Sequence, residues 1–153
     1  MERVNNLQMS LFGNFINIKP KTDVKVLEKY LDDIDMVLVM SVEPGKGGQE
    51  FINRTVDKIQ EVNELIGSRN ILVEVDGGIN DKTIDKVRNV DIVVSGSYIV
   101  KSDNYNNRIK SLLSSNESLD SAKKVVIDKN PKEDEKKFGN FLDSIFVILL
   151  IYF

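Results

Sequence analysis

The sequence contains no histidine and no cysteine among its 153 residues. Without cysteine, the chain can form neither disulfide bonds nor zinc–thiolate sites, and thiolate catalysis is excluded. Without histidine, it lacks the commonest metal ligand and the usual general base near neutral pH. Any acid–base chemistry must therefore use carboxylates, lysine or tyrosine. Residues 1–11 also lack the continuous apolar run of a secretory signal, so we expect a cytoplasmic protein.

The chain also has no excess of positive charge. The net charge is -3 and the pI is about 5.1, so no basic surface is expected to bind nucleic acid. Apolar residues make up 41% and charged residues 29% of the chain, which is ordinary for a soluble globular protein. The length allows one domain, or one domain with a tail.

Strand and helix patterns alternate four times between residues 12 and 113. The predicted strands are Phe12–Ile18, Met36–Val42, Ile71–Val75 and Asp91–Val94. The predicted helices are Asp23–Leu31 with Thr22 as N-cap, Asn53–Ile66 ending at Gly67, Asp81–Asn89 with Asn80 as N-cap, and Asn104–Leu113. This alternation is typical of a parallel α/β fold. A closed barrel of eight such units needs roughly 250 residues, so the chain has room for a partial (β/α)8 TIM barrel of four units.

The composition changes after residue 113. Ser114–Lys137 is rich in Ser, Lys, Glu and Asp, and it is typical of a solvated linker. Phe138–Phe153 ends in nine consecutive apolar residues, too few for a bilayer span of about 20. An interface segment or an accidental extension is favoured over a membrane-associating tail. We therefore divide the chain into a domain over 1–115 and a charged linker with an irregular apolar tail over 116–153.

The most informative stretch is Val73–Asn80, with the sequence Val-Glu-Val-Asp-Gly-Gly-Ile-Asn. An aliphatic strand ends there in Asp76, and the carboxyl ends of parallel strands border the ligand crevice of α/β proteins. Gly77 and Gly78 remove the Cβ atoms that would keep a ligand away from the backbone. A strand-to-helix turn that merely needs glycine explains this stretch about equally well.

Glycine-containing loops follow each of the last three predicted strands. They are Glu43–Gln49, Asp76–Ile79 and Ser95–Ser97. The carboxyl ends of parallel strands share one edge, and successive N–H groups in such turns bind anions. Three consecutive loops of this kind favour a shared phosphate site over simple turn chemistry. Lys46 either adds a charge to it or is merely solvated.

These motifs resemble those of the ribulose-phosphate 3-epimerase family. The resemblance lies in Met40–Gln49 followed by Phe51, in Val75–Ile79, and in Ser95–Ser97. Lys19–Thr22 is similar to the family's Asn-Pro-x-Thr turn, with Lys19 in place of the asparagine. The resemblance runs from about Phe15 to Leu113. Allulose-phosphate 3-epimerases share these motifs, so the sugar is less certain than the chemistry.

The resemblance implies a (β/α)8 barrel that interconverts D-ribulose 5-phosphate and D-xylulose 5-phosphate. The reaction is a metal-assisted proton transfer at C3, with a divalent ion of the Zn, Fe, Mn or Co type. By this resemblance Asp76 is a catalytic acid–base group and a metal ligand. Met40 lines the active site, or is simply a core methionine. The implied phosphate-binding residues are Gly45, Gly47, Gly48, Gly77, Gly78, Gly96 and Ser97.

The family's first four strands have no counterpart here, and they carry a second aspartate and two histidine metal ligands. We therefore expect metal binding to be impaired and the chain alone to be a poor epimerase. A non-catalytic protein that binds a pentulose phosphate is the alternative. A half barrel would also expose unpaired strand edges near Phe15 and Val93, through which two copies could associate.

Overall fold

The structure, a computed structural model, describes residues 7–10, 13–45, 48–113, 125–127 and 149–152. Within these ranges seven strands form one sheet in the order β1-β2-β3-β4-β5-β7-β6. The strands are β1 (Leu7–Ser10), β2 (Gly13–Ile18), β3 (Met36–Met40), β4 (Leu72–Asp76), β5 (Ile92–Val94), β6 (Val125–Ile127) and β7 (Leu149–Tyr152). The helices are α1 (Thr55–Ile66), α2 (Ser97–Val100) and α3 (Tyr105–Leu112), with 3-10 helices at Val24–Tyr30 and Ile84–Val87.

The four central strands, β2 to β5, are parallel and lie side by side in chain order. This confirms the predicted parallel α/β arrangement and all four predicted strands to within two residues at each end. Helical segments connect each strand to the next. Parallel strands need such crossovers, because a tight turn can join only antiparallel neighbours.

Both edges of this parallel set are covered by antiparallel strands of the same chain. At one edge, β1 pairs with β2, so that Phe15 is opposite Gln8. At the other edge, β7 pairs with β5, so that Val93 is opposite Ile151, and β6 pairs with β7. The expectation of unpaired edges near Phe15 and Val93 is therefore wrong. The prediction of an irregular tail is also wrong at 125–127 and 149–152, while the rest of the tail lies outside the described residues.

The main core lies between one face of the sheet and the helical layer. Alternate residues of β4 show the arrangement, because Val73 and Val75 are buried in the core while Glu74 and Asp76 lie on the other face. The helical layer contributes the buried side chains Leu27, Ile59, Val62, Ile84, Val87, Ile109 and Leu112. The sheet face opposite this layer, here called the carboxylate face, carries Asn17, Leu38, Met40, Glu74, Asp76, Ile92 and Val94.

Two of the predicted helices are shorter and tighter than expected. The segment predicted as Asp23–Leu31 is a 3-10 helix whose N-cap is Asp23, which accepts a hydrogen bond from the Lys25 N–H at 2.9 Å. Thr22 instead accepts a hydrogen bond from the Lys19 N–H within its own turn. The predicted N-cap is therefore wrong by one residue.

The segment predicted as helix Asp81–Asn89 contains only the 3-10 turn Ile84–Val87. The N-cap of this turn is Thr83 and not Asn80, whose side chain accepts a hydrogen bond from the Lys82 N–H at 2.8 Å before the turn begins. The Thr83 hydroxyl accepts one from the Asn80 N–H and lies within hydrogen-bond distance of the Gly78 carbonyl. Side-chain bonds of this kind compete with regular helical hydrogen bonding. By contrast, α3 begins at Tyr105, one residue after the predicted start, and Asn104 is its N-cap.

Lys58 joins α1 to the turn that follows β2. Its side chain is almost fully buried, and its ammonium donates hydrogen bonds to the carbonyl oxygens of Lys19, at 3.1 Å, and Thr22. Burial lowers the pKa of Lys58, and the charge of Glu61 partly opposes that effect. The two carbonyl acceptors offset part of the cost of burying this charge. The Lys19–Thr22 turn is thereby fixed at the carboxyl edge of the sheet.

Candidate functional site

Asp76 is the last residue of β4 and lies at the carboxyl edge of the parallel strands. The β-ladder places it beside Met40 of β3 and Val94 of β5. Burial raises the pKa of Asp76 above its ordinary value, because a low-dielectric environment disfavours the charged carboxylate. The sheet therefore holds one carboxyl group at the position where α/β proteins bind their ligands.

A second carboxyl group, Glu74, lies on the carboxylate face two residues before Asp76 in β4, farther from the carboxyl edge of the sheet. Burial, with a smaller contribution from the charge of Asp76, raises the pKa of Glu74 to about 7. The ladder continues from Glu74 through Leu38 to Asn17, whose buried side-chain oxygen has no hydrogen-bond partner among the described residues. Two polar side chains, Glu74 and Asn17, therefore lie in one row of this face with Leu38 between them. Sequence reasoning missed Glu74, although its two-residue spacing from Asp76 in a strand places both on one face.

Hydrogen bonds hold the ends of β3, β4 and β5 together at this edge. The Ser41 N–H donates to the Asp76 carbonyl at 2.8 Å, and the Ser41 hydroxyl donates to the Gly77 carbonyl at 2.5 Å. The Ser95 hydroxyl donates to the Ile79 carbonyl at 2.8 Å. Both serines are essentially fully buried. The structure therefore brings the three glycine-containing loops to one edge, next to Asp76.

Gly77 and Gly78 have a packing role that the sequence did not reveal. A Cβ on Gly77 would lie 2.6 Å from Cγ2 of Val42, and one on Gly78 would lie 2.5 Å from the backbone nitrogen of Phe51. Both glycines also have positive φ values, 124° and 66°. The β4 loop therefore packs directly on the chain that follows β3, and side chains at these two positions would separate them.

Gly48 and Gly45 have different surroundings. A Cβ on Gly48 would lie 3.0 Å from the Lys101 ammonium and 3.8 Å from the Ser97 hydroxyl, whereas one on Gly45 would meet no atom within 4 Å. Gly96 is the N-cap of α2, and Ser97 is the first residue of that helix. Gly47 and Lys46 lie outside the described residues. The remaining predicted site residues thus cluster at the ends of β3, β4 and β5, and Lys101 joins them.

The donor set around Asp76 does not by itself fit a divalent cation. The described residues contain no group of three or more His, Cys, Asp or Glu side chains that could hold a metal ion. The whole chain contains no histidine. Asp76 could contribute one carboxylate ligand, and a complete coordination shell would need donors beyond those described.

A parallel α/β sheet with a carboxylate and glycine-containing loops at its carboxyl edge is the architecture of a ligand-binding α/β protein. The profile of the Ribulose-phosphate 3 epimerase family matches residues 7–100, well over half of the chain. The chain therefore belongs to the ribulose-phosphate 3-epimerase family, as its motifs predict. In the described residues, no helix is long and apolar enough to cross a membrane.

Several curated relatives are named ribulose-phosphate 3-epimerase. The Helicobacter pylori protein (strain ATCC 700392 / 26695) is 43% identical over 108 residues, covering 68% of this chain and 50% of that protein. The Buchnera aphidicola subsp. Baizongia pistaciae protein is 48% identical over 98 residues, covering 61% and 43%. The Bacillus subtilis protein is 41% identical over 87 residues, covering 54% and 40%. The chain thus spans about half the length of the curated relatives it matches.

Proposed function

We propose that this chain provides the phosphate-binding and proton-transferring part of a ribulose-phosphate 3-epimerase site. The proposed reaction interconverts D-ribulose 5-phosphate and D-xylulose 5-phosphate by proton transfer at C3. The observation that supports it most directly is the position of Asp76, a buried carboxyl group at the strand end beside three clustered loops. The proposal further takes β2 to β5 as four consecutive strands of the family's (β/α)8 barrel.

The phosphate would bind at the loops and set the position of the sugar. Gly45, Gly48, Gly96 and Ser97 offer backbone N–H groups and one hydroxyl there, together with Gly47, which lies outside the described residues. Gly77 and Gly78 would hold the β4 loop against its neighbour. Met40 is next to Asp76 in the ladder and would form an apolar wall of the site.

Asp76 would remove the C3 proton from one face of the bound sugar. A carboxylate in a partly desolvated site is a stronger base than one in water, which assists this step. Epimerisation also requires a proton to be delivered on the opposite face. Glu74 lies on the same strand face as Asp76 and is not placed to do that. The chain alone is therefore proposed to exchange the C3 proton and to epimerise poorly.

Deuterium exchange tests this proposal directly. The full chain is incubated with D-ribulose 5-phosphate in D2O, and the loss of the C3 proton signal is followed by NMR. We expect exchange by the wild type and roughly a hundredfold or greater loss in Asp76→Asn, the scale of a removed acid–base group. Asp33→Asn, which changes an exposed carboxylate outside the site, is the control. Exchange that persists unchanged in Asp76→Asn would refute the role of Asp76.

A non-catalytic protein that binds a sugar phosphate is the second candidate. It is favoured by the small number of carboxyl groups on the parallel strands β2 to β5, where Glu74 and Asp76 are the only two. Binding of D-ribulose 5-phosphate without exchange at C3 would select this alternative. Comparison with D-allulose 6-phosphate would show whether the site prefers a pentulose or a hexulose phosphate.

A further inference from the structure

We infer that Lys101 is a phosphate-binding residue that gives the site a fixed positive charge. The inference rests on the proposed function, because it requires a phosphate at Gly48 and Ser97. It adds an ionic contact to a site otherwise composed of backbone N–H groups and a hydroxyl. None of the motifs singled out in the sequence includes this lysine.

The side chain of Lys101 reaches the loop that follows β3. Its ammonium lies 3.0 Å from the point where a Cβ of Gly48 would stand, and the Ser97 hydroxyl lies 3.8 Å from the same point. The absence of a side chain at Gly48 therefore lets the ammonium and the hydroxyl approach the backbone of this loop. An anion bound to the backbone of Gly48 would meet a cation and a hydroxyl donor together.

The short helix α2 explains why the side chains of Ser97 and Lys101 both lie close to Gly48. The Lys101 N–H donates to the Ser97 carbonyl at 3.2 Å, so the two residues are one helical turn apart. Residues with this spacing share one face of a helix. A Ser-x-x-x-Lys spacing at the start of a predicted helix would reveal the pair, but the sequence predicts only a loop at Ser95–Ser97 and no helix after it.

Side-chain contacts hold α2, whose C-cap is Lys101, against α3. The Arg108 guanidinium lies 4.4 Å from the centre of the Tyr98 ring, and the Tyr98 hydroxyl is 2.9 Å from the Ser111 hydroxyl. These contacts fix the backbone from which the lysine extends. The position of the ammonium therefore depends mainly on its own flexible side chain.

The charge of Lys101 is available for a ligand. The side chain is exposed, and within the described part of the chain its ammonium forms neither an ion pair nor a hydrogen bond. A phosphate dianion is therefore its natural partner at this edge. Because the contact is open to solvent, its contribution should be modest and should decrease with salt.

The test compares phosphate binding by the full chain and by Lys101 variants. Affinity for D-ribulose 5-phosphate is measured by isothermal titration calorimetry, and affinity for inorganic phosphate by phosphorus NMR. Lys101→Met removes the charge, and Lys101→Arg keeps it. Lys25→Met is the matched control, because Lys25 is an exposed lysine on the 3-10 helix that follows β2. Unphosphorylated D-ribulose serves as the uncharged ligand.

We expect Lys101→Met to bind both phosphates about fivefold more weakly at low ionic strength, the scale of one exposed charge pair. The difference should largely disappear near 1 M salt, where the Debye length is about 3 Å. Lys101→Arg and Lys25→Met should bind like the wild type. Equal affinities and salt dependence in the wild type and Lys101→Met would overturn the inference while leaving the phosphate site in place. If the wild type binds D-ribulose 5-phosphate no better than D-ribulose, the phosphate site itself is refuted, and the inference with it.

Discussion

Replacing Glu74 with glutamine removes an ionisable group from the carboxylate face while keeping its shape. The pKa of Glu74 is raised from 4.5 to about 7 in the folded chain. Between these values the folded state holds a proton that the unfolded chain has released. Stability therefore falls as the pH rises through this window, and the penalty is complete above about pH 7. The pKa difference is worth about 3 kcal/mol at full burial, and closer to about 2 kcal/mol because the side chain is only partly buried.

Urea denaturation followed by circular dichroism measures this effect. We compare the wild type, Glu74→Gln, and Glu28→Gln as a control at an exposed glutamate. Near about pH 4, Glu74→Gln and the wild type should be almost equally stable, because the carboxyl is protonated in both folded and unfolded wild type. Near about pH 8, Glu74→Gln should be more stable by about 2 to 3 kcal/mol. A stability difference that does not change between these pH values would show that Glu74 is solvated, contrary to the reasoning.

Two further changes test the packing of the loops and the covering of the sheet edge. Gly77→Ala should destabilise the chain by about 2 to 4 kcal/mol in urea denaturation, because its Cβ would collide with Val42 at a positive φ. Gly45→Ala is the matched control with a positive φ and free space, and it should cost only about 1 kcal/mol; equal costs would contradict the packing role. Removing residues 145–153 takes β7 from the edge of β5, and the shortened chain should self-associate in light scattering. A shortened chain that stays as monodisperse as the full one would contradict this.

The parallel strands were predictable because their patterns are strong and local. Met36–Met40 is an unbroken apolar run, Leu72–Val75 is aliphatic at three of its four positions, and a glycine-containing loop follows each strand. The grouping of the three loops followed from the rule that parallel strands share a carboxyl edge. The sequence alone therefore predicts the position of Asp76 at that edge.

The features that sequence reasoning missed depend on contacts between distant segments. The pairing of β1 and β7 with the parallel set depends on non-local partners, and Leu7–Ser10 has no strong period of its own. The helix expected at Asp81–Asn89 is limited to one turn by side-chain bonds from Asn80 and Thr83. The close packing of Gly77 on Val42 joins residues 35 positions apart and has no local signal.

The antiparallel strands on either side of the parallel set have a consequence for any attempt to extend that set. A further parallel strand, whether from a second copy or from another polypeptide, could pair with β2 or β5 only by displacing β1 from β2 or β7 from β5. Both occupants are covalently attached, and a connection as short as that between β1 and β2 gives an effective local concentration of the order of millimolar. A free competitor at micromolar concentration would therefore need far more favourable pairing than the tethered strand to replace it.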